Sequence, residues 1–154
     1  MEINIIIFVN LLAYSFIVSQ SFSYIIALWN VQQSMNATTY IELRKLPDKN
    51  FRKKFSVVIY ISLVSSTMLT VLCSVEPTCL LFISSAIAWI ALIIDTLLTI
   101  KGNIPTNTII NSRSNDNYPV DWKLYRNKWL FIFGKRQILH IIGFLSLLLG
   151  AVFG

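Results

Sequence analysis

The C-terminal stretch DWKLYRNKWLFIFGKRQILHIIGFLSLLLGAVFG, residues 121–154, sets the architecture expected for this chain. From Leu130 onward it is apolar over about the 20 residues that a helix needs to cross a bilayer. Backbone amides cannot stay unpaired in hydrocarbon, so the segment is predicted to be a transmembrane helix. It nevertheless contains two ionisable side chains, Arg136 and His140. We expect both to face neighbouring helices, since charges facing lipid are costly.

Three further apolar segments precede it, and all four are predicted to span the membrane. The spans cover about residues 3–29, 55–73, 79–100 and 130–153. Only 13% of the 154 residues are charged, whereas soluble domains carry roughly 25%. We therefore predict an all-α protein, a bundle of four transmembrane helices forming one membrane domain over residues 1–154. The last helix should extend beyond the membrane at its N-terminal end, because Asp121 can cap a helix there.

The distribution of positive charge predicts the orientation. All 13 Lys and Arg fall in two groups, residues 44–54 between the first two spans and residues 101–136 between or just inside the last two. Positive loops remain in the cytoplasm, so both termini and the turn Ser74–Thr78 should lie outside. The net charge of +6 then suits anionic lipid headgroups, and no nucleic-acid partner is expected. This favours an integral protein of a bacterial inner (plasma) membrane.

The two basic loops are expected to differ in structure. The first should be partly helical until Pro47-Asp48, which should end that helix and start the next. The second, KGNIPTNTIINSRSNDNYP at residues 101–119, is rich in turn formers and should be irregular.

Two cysteines flank the short outer turn. Cys73 and Cys79 either form a disulfide that joins the ends of the hairpin or remain two thiols, and the spacing leaves both open. No metal site is predicted, because the chain has a single histidine and scattered carboxylates.

A stripe of aromatic and polar residues follows one face of the last helix. Its members recur at steps of four and three residues: Trp122, Arg126, Trp129, Phe133, Arg136, His140 and Gly143. Residues at this spacing share a helix face, so the stripe should turn toward the bundle.

Partners for the buried charges are predicted on the other spans. Asp95 in the third span lies at a depth similar to that of Arg136, and the two should pair. His140 lies one turn deeper, near Gln20 of the first span and Ser62 or Ser66 of the second. These residues outline a polar pocket open to the cytoplasm. The alternative is that they are interhelical hydrogen bonds, with the tryptophans as interfacial belt residues.

Short motifs around the fourth span resemble those of the DUF1772 family, small four-span membrane proteins that include anthrone oxygenases. The motifs are IPTN at residues 104–107, DW at 121–122, and then Arg126, Trp129 and Arg136. The resemblance adds Asn107 to the candidate residues. Many members have a histidine one turn after the last tryptophan, where this chain has Phe133, so the family chemistry does not transfer directly to His140.

The leading hypothesis is a binding or interaction module for a membrane lipid, a hydrophobic small molecule or a partner subunit, in a homo-oligomer or larger membrane complex. Its ligand-binding residues would be Trp122, Arg126, Trp129, Phe133, Asn107, Asp95 and Gln20. The alternative, implied by the resemblance, is a cofactor-free oxygenase acting on a lipophilic phenolic or polycyclic substrate. His140 would then be the catalytic base and Arg136 would stabilise the enolate oxygen. No cofactor is expected. A transporter or channel is the least favoured reading.

Overall fold

The computed structural model describes residues 2–112 and 120–154, except for the side chains at positions 2, 47 and 49–52. It contains the helices α1 (Glu2–Ser23), α2 (Trp29–Ser34), α3 (Ala37–Cys73), α4 (Leu80–Leu98), α5 (Ile104–Asn111) and α6 (Trp122–Phe153). Two π-helical turns, Tyr24–Leu28 and Thr99–Asn103, join α1 to α2 and α4 to α5. The described part of the chain contains no strand, so the all-α prediction is confirmed.

Four segments are long and apolar enough to cross a membrane: Ile3–Ser34, Lys53–Cys73, Leu80–Asn111 and Trp122–Phe153. They run alternately up and down, and the helices pack in a closed ring in which α1 contacts α3, α3 contacts α4, α4 contacts α6 and α6 contacts α1. The predicted four-helix bundle is therefore confirmed. Large apolar side chains such as Ile26 and Val64 point outward, as expected for lipid-facing surfaces.

The interior is mixed, with apolar residues at its centre and polar groups bonded across helices. Tyr14, Leu92 and Leu147 are almost fully buried. In the same interior Ser66 on α3 donates to Asn10 Oδ1 on α1 at 2.9 Å. Hydrogen bonds of this kind are common between membrane helices, where no water competes.

The predicted break at Pro47-Asp48 is wrong, because α3 continues from Ala37 through both positions to Cys73. The helix begins instead at Asn36, whose side chain accepts a hydrogen bond from the Thr39 amide at 2.9 Å. Tertiary contacts hold the helix at Asp48, whose carboxylate accepts bonds from Asn107 Nδ2 at 2.8 Å and Asn111 Nδ2 at 2.7 Å. Such contacts override a local preference.

The prediction of an irregular second loop is also wrong for residues 101–111. The third span continues through a π-helical turn into α5, which ends at Asn111. Pro105 lies in the first turn of α5, directly after the π-helical turn. The remainder of the predicted loop, residues 113–119, lies outside the described residues.

Both connections rich in basic residues lie at one end of the bundle, called here the loop end. Two contacts establish this: Asp48 bonds to α5, and Arg126 Nη1 on α6 donates to the carbonyl oxygens of Gln33 at 2.7 Å and Met35 at 3.4 Å. The side of the membrane that the loop end faces stays a prediction.

At the opposite end, both cysteines are free thiols. Cys79 Sγ accepts a hydrogen bond from the Phe82 amide at 3.3 Å and so caps the first turn of α4. The structure thus contains the two unbonded thiols, one of the two alternatives that the spacing left open.

Gly143 is the point at which α6 approaches α1 most tightly. A Cβ at this position would overlap the hydroxyl of Tyr14, which donates to the Ala88 carbonyl oxygen at 3.3 Å. We expect Gly143→Ala to lower the free energy of unfolding by about 1–3 kcal/mol, the usual cost of overpacking a core. The measurement is thermal unfolding followed by circular dichroism in detergent.

Two further variants test the cause. Gly134→Ala should have a smaller effect, since its Cβ would meet only the outer edge of the Trp29 ring, at 3.3 Å. Tyr14→Phe should recover part of the stability lost in Gly143→Ala, because it removes the clashing oxygen. No recovery in the double variant would contradict the steric explanation.

Candidate functional site

A buried ion pair lies between α4 and α6. Arg136 Nε donates to Asp95 Oδ1 at 2.6 Å, and the two side chains are 8% and 1% exposed. The pair was predicted from the matching depths of the two residues. Its short distance and complete burial fit a charge-assisted bond that offsets the cost of placing each charge in an apolar bundle.

His140 lies one turn further along α6 and is fully buried. Its Nε2 is 2.9 Å from the same carboxylate oxygen of Asp95, without the alignment of a hydrogen bond. Its Nδ1 is 2.7 Å from the Ser21 hydroxyl on α1. The imidazole therefore lies between the Asp95 carboxylate and the Ser21 hydroxyl.

Asn103 connects this group to the next layer of the bundle. Its Oδ1 accepts a bond from Arg136 Nη1 at 3.1 Å, and its Nδ2 donates to the Trp129 carbonyl oxygen at 3.3 Å. We call Ser21, Asp95, Asn103, Arg136 and His140 the deep polar cluster. Two of its atoms, Asp95 Oδ2 and His140 Nε2, are buried without a hydrogen-bond partner among the described residues.

Gln20 does not take part in the deep polar cluster, although the sequence suggested it as a neighbour of His140. Ser21 is buried and contacts the imidazole, whereas Gln20 is half-buried on an adjacent face of α1. The predicted partners on α3 do not contact His140 either. Ser66 bonds to Asn10, and the buried Ser62 hydroxyl has no partner among the described residues.

A second group of residues lies closer to the loop end and is built on three aromatic rings. Trp129 and Phe133 are stacked with centroids 4.9 Å apart, and Tyr24 packs against Phe133 at 4.5 Å. The Arg44 guanidinium lies 3.6 Å above the Trp129 ring, in cation–π contact. Trp129 and Phe133 were both predicted to face the bundle, and both are buried.

The Tyr24 hydroxyl is the hydrogen-bonding centre of this group. It accepts a bond from Arg44 Nη1 at 3.0 Å and another from Gln32 Nε2 at 3.0 Å. Tyr40 lies one helical turn before Arg44 on α3 and is 1% exposed. Burial raises the pKa of Tyr40 to about 12, against the opposing effect of Arg44. We call Tyr24, Gln32, Tyr40, Arg44, Trp129 and Phe133 the aromatic–arginine cluster.

The aromatic–arginine cluster contains several buried polar atoms that no described residue satisfies. They are Gln32 Oε1, the Tyr40 hydroxyl, Arg44 Nε and Trp129 Nε1. An unmet buried donor or acceptor costs about 1–3 kcal/mol, so native proteins rarely leave several together. Exchanging the oxygen and nitrogen of the Gln32 amide does not remove the deficit, because one of its two atoms remains unpartnered either way.

The remaining ligand-binding residues predicted from the sequence lie at the edge of the aromatic–arginine cluster or outside both clusters. The Trp122 ring packs 6.2 Å from that of Tyr40, and the Arg126 guanidinium lies 4.9 Å from the Trp122 ring. Arg126 also closes the C-terminal end of α2 through its bonds to backbone carbonyls. Asn107 belongs to neither cluster, since its Nδ2 bonds to Asp48 between α5 and α3.

Several residues of both clusters were missed by the sequence reading: Ser21, Tyr24, Gln32, Tyr40, Arg44 and Asn103. Arg44 was counted only among the charges that set orientation. The sequence did indicate which face of α1 turns inward, because Asn10, Tyr14, Ser21 and Tyr24 recur at helical spacing on one face.

An apolar groove between α1 and α3 is separate from both clusters. It lies nearer the end opposite the loops and is lined by residues such as Ile6, Val9 and Met68. Its walls carry almost no polar surface, which suits contact with an acyl chain of the bilayer.

No family model matches this chain, and no curated protein or solved structure is significantly similar to it. The resemblance to the DUF1772 family therefore stays a prediction. Among the described residues, no three His, Cys, Asp or Glu side chains lie together as potential metal ligands.

The Asp95–Arg136 pair makes a quantitative prediction about stability. Asp95→Asn or Arg136→Gln alone should cost about 3–5 kcal/mol, because each leaves the opposite charge buried and unpaired. The double variant should recover most of this loss, since no net charge remains. The measurement is a double-mutant cycle of unfolding in mixed detergent micelles. Lys135→Gln, which removes an exposed neighbouring charge, is the control; additive effects of the two single changes would contradict the pairing.

Proposed function

We propose that this protein is an intramembrane binding module for a lipophilic small molecule, held in the aromatic–arginine cluster. The observation that carries the proposal is the group of buried polar atoms around Arg44 and Trp129 that have no partner among the described residues. A bound molecule that met those atoms would remove a cost of several kcal/mol. The deep polar cluster then supports the site from below, through the bond from Asn103 to the Trp129 carbonyl oxygen.

The chemistry of the walls supports a ligand with an apolar body and a polar head. Trp129, Phe133 and Tyr24 pack against one another and are buried, so a ligand enters by separating these rings, with Arg44 and Gln32 as polar groups at one edge. Small-molecule sites commonly combine aromatic walls with a few placed polar groups. The site lies where the transmembrane segments meet the basic connections, and an amphipathic molecule in a bilayer has its head at that depth.

The proposed location is the plasma membrane of a bacterium, with the loop end in the cytoplasm and both termini outside. All 13 Lys and Arg lie between the first and second or the third and fourth spans, or just inside the fourth. The contacts of Asp48 and Arg126 bring both connections to one end of the bundle. This asymmetry supports the proposed orientation through the positive-inside rule.

An oxygenase of the anthrone type is the second candidate. The observation in its favour is that His140 lies between a carboxylate and a hydroxyl, as a base positioned by Asp95 would. Two observations weigh against it. His140 is 0% exposed, and both its ring nitrogens face protein groups, so a substrate would have to displace Ser21. Oxygen uptake with anthrone that is lost in His140→Gln would favour catalysis over binding alone.

The binding proposal predicts that anthrone, a flat lipophilic molecule, quenches the fluorescence of Trp129. The experiment uses protein in phosphatidylcholine nanodiscs under nitrogen, which prevents oxidation of the probe. Quenching should be saturable and should be lost in Trp129→Phe and weakened in Phe133→Leu. Trp89→Phe is the matched control, because Trp89 bonds to Thr67 on the outer surface of the bundle.

Two outcomes would contradict the binding proposal. The first is quenching that rises linearly with anthrone and equals that of a free tryptophan peptide in the same nanodiscs. The second is quenching that disappears in Trp89→Phe and persists in Trp129→Phe. Native mass spectrometry of the same sample separates a retained small molecule or lipid from a second protein subunit.

A further inference from the structure

The unmet atoms of the aromatic–arginine cluster are mostly hydrogen-bond donors. Arg44 Nε and Trp129 Nε1 can only donate, and the Tyr40 hydroxyl can donate as well as accept. Gln32 also offers an amide hydrogen to a ligand if its side-chain oxygen takes the Tyr24 proton. A group that satisfies this set must therefore be an acceptor, and several donors converging on one place favour an acceptor with more than one lone pair.

The charge of Arg44 is also unbalanced within the cluster. In the part of the chain that the structure describes, the guanidinium contacts two neutral groups, the Tyr24 hydroxyl and the Trp129 ring. A second cation, Arg126, lies near Tyr40 and lowers its pKa, although burial dominates and raises it. A partly buried cation is stabilised when an anion approaches it, and the low dielectric of the bundle strengthens that attraction.

The Nε edge of Arg44 is buried and has no hydrogen-bond partner among the described residues. Tyr24 takes Nη1, whereas the opposite edge, which carries Nε, is the one on which a carboxylate binds with two parallel hydrogen bonds. Trp129 Nε1 belongs to the ring that the guanidinium covers at 3.6 Å, so the two donors are close together. Tyr40 is placed beside Arg44 by the four-residue spacing along α3.

Resting on the binding function above, we propose that the head of the ligand is an anionic oxygen group, a carboxylate on an apolar body. Its oxygens accept from Arg44 Nε, Trp129 Nε1 and the Tyr40 hydroxyl, and its body packs against Trp129 and Phe133. A phosphate of an anionic lipid shares this chemistry, and the experiment separates the two sources. A neutral molecule of the same shape leaves the Arg44 charge unpaired and binds weakly.

The test compares 9-anthracenecarboxylic acid with 9-anthracenecarboxamide, which have the same ring system and differ in the head group. Binding to protein in phosphatidylcholine nanodiscs is followed by the anisotropy of anthracene emission, corrected with empty nanodiscs. The acid should bind about tenfold or more tightly than the amide, as expected for a hydrogen-bonded charge pair. Acetate alone should not compete, because it lacks the apolar body.

Three substitutions remove single donors with little change of shape. Arg44→Gln should abolish the preference for the acid over the amide, and Trp129→Phe and Tyr40→Phe should each reduce this preference several-fold. Lys123→Gln, which removes an exposed charge on α6 at the loop end, should leave the preference unchanged. Circular dichroism identifies any variant that fails to fold, and Tyr40→Phe keeps the test valid if Arg44→Gln is one of these.

Nanodiscs that contain phosphatidylglycerol test whether the bound anion is a lipid phosphate. If they leave the acid affinity unchanged, the site is specific for a carboxylate, as proposed. If the acid is displaced, lipid phosphate is the occupant and the carboxylate assignment is overturned. Equal affinities for acid and amide would overturn the anionic head but leave the binding function intact. The absence of saturable binding by anthrone, acid and amide alike would instead remove the binding function itself.

Discussion

The ion pair between Asp95 and Arg136 fixes the arrangement of the bundle. In a membrane, apolar faces give no reason for one helix rotation over another, because lipid tails are as apolar as the neighbouring side chains. A buried ion pair does favour one helix rotation, since a rotation that separates the two charges exposes both to hydrocarbon. The 2.6 Å bond therefore sets the rotation of α4 against α6, and the contact of His140 with Ser21 adds α1 to the same layer.

This layer positions the rings above it. Arg136 bonds to Asn103, and Asn103 bonds to the Trp129 carbonyl oxygen, so the height and rotation of Trp129 follow from the charges below. The two π-helical turns also help to orient these side chains. Each adds a residue to one turn, which rotates the side chains that follow, and π turns recur at functional sites for this reason. Here they contain Tyr24 and Asn103, both buried toward the interior.

The part of this arrangement that follows from periodicity was predictable from the sequence. The spacing of Trp129, Phe133, Arg136 and His140 defined a face of α6, and equal depth paired Asp95 with Arg136. The rotation of α1 was harder to predict, because polar residues lie on several of its faces. Gln20 was predicted to lie near His140, whereas Ser21 is the residue that contacts the imidazole. Arg44 was missed because its partners come from α1, α2 and α6, and only the tertiary fold brings them together. The predicted helix break at Pro47 and the predicted irregular loop over residues 104–111 were wrong for a related reason. Contacts between α3 and α5 stabilise helix where the local sequence favours a break.

The two clusters differ in how completely their hydrogen-bonding capacity is used, and this difference locates the proposed function. Ionisable groups inside a membrane usually indicate the functional site. In the deep polar cluster, however, one anion faces one cation, and two buried atoms, Asp95 Oδ2 and His140 Nε2, lack a hydrogen-bond partner among the described residues. In the aromatic–arginine cluster four buried atoms lack a partner, and among the described residues its cation contacts two neutral groups. Groups that pair with one another contribute stability and specificity of packing, whereas the unpaired donors near Arg44 are the basis of the binding proposal. Arg44 and Trp129 are therefore the centre of the proposed binding site, whereas Asp95 and Arg136 stabilise the bundle.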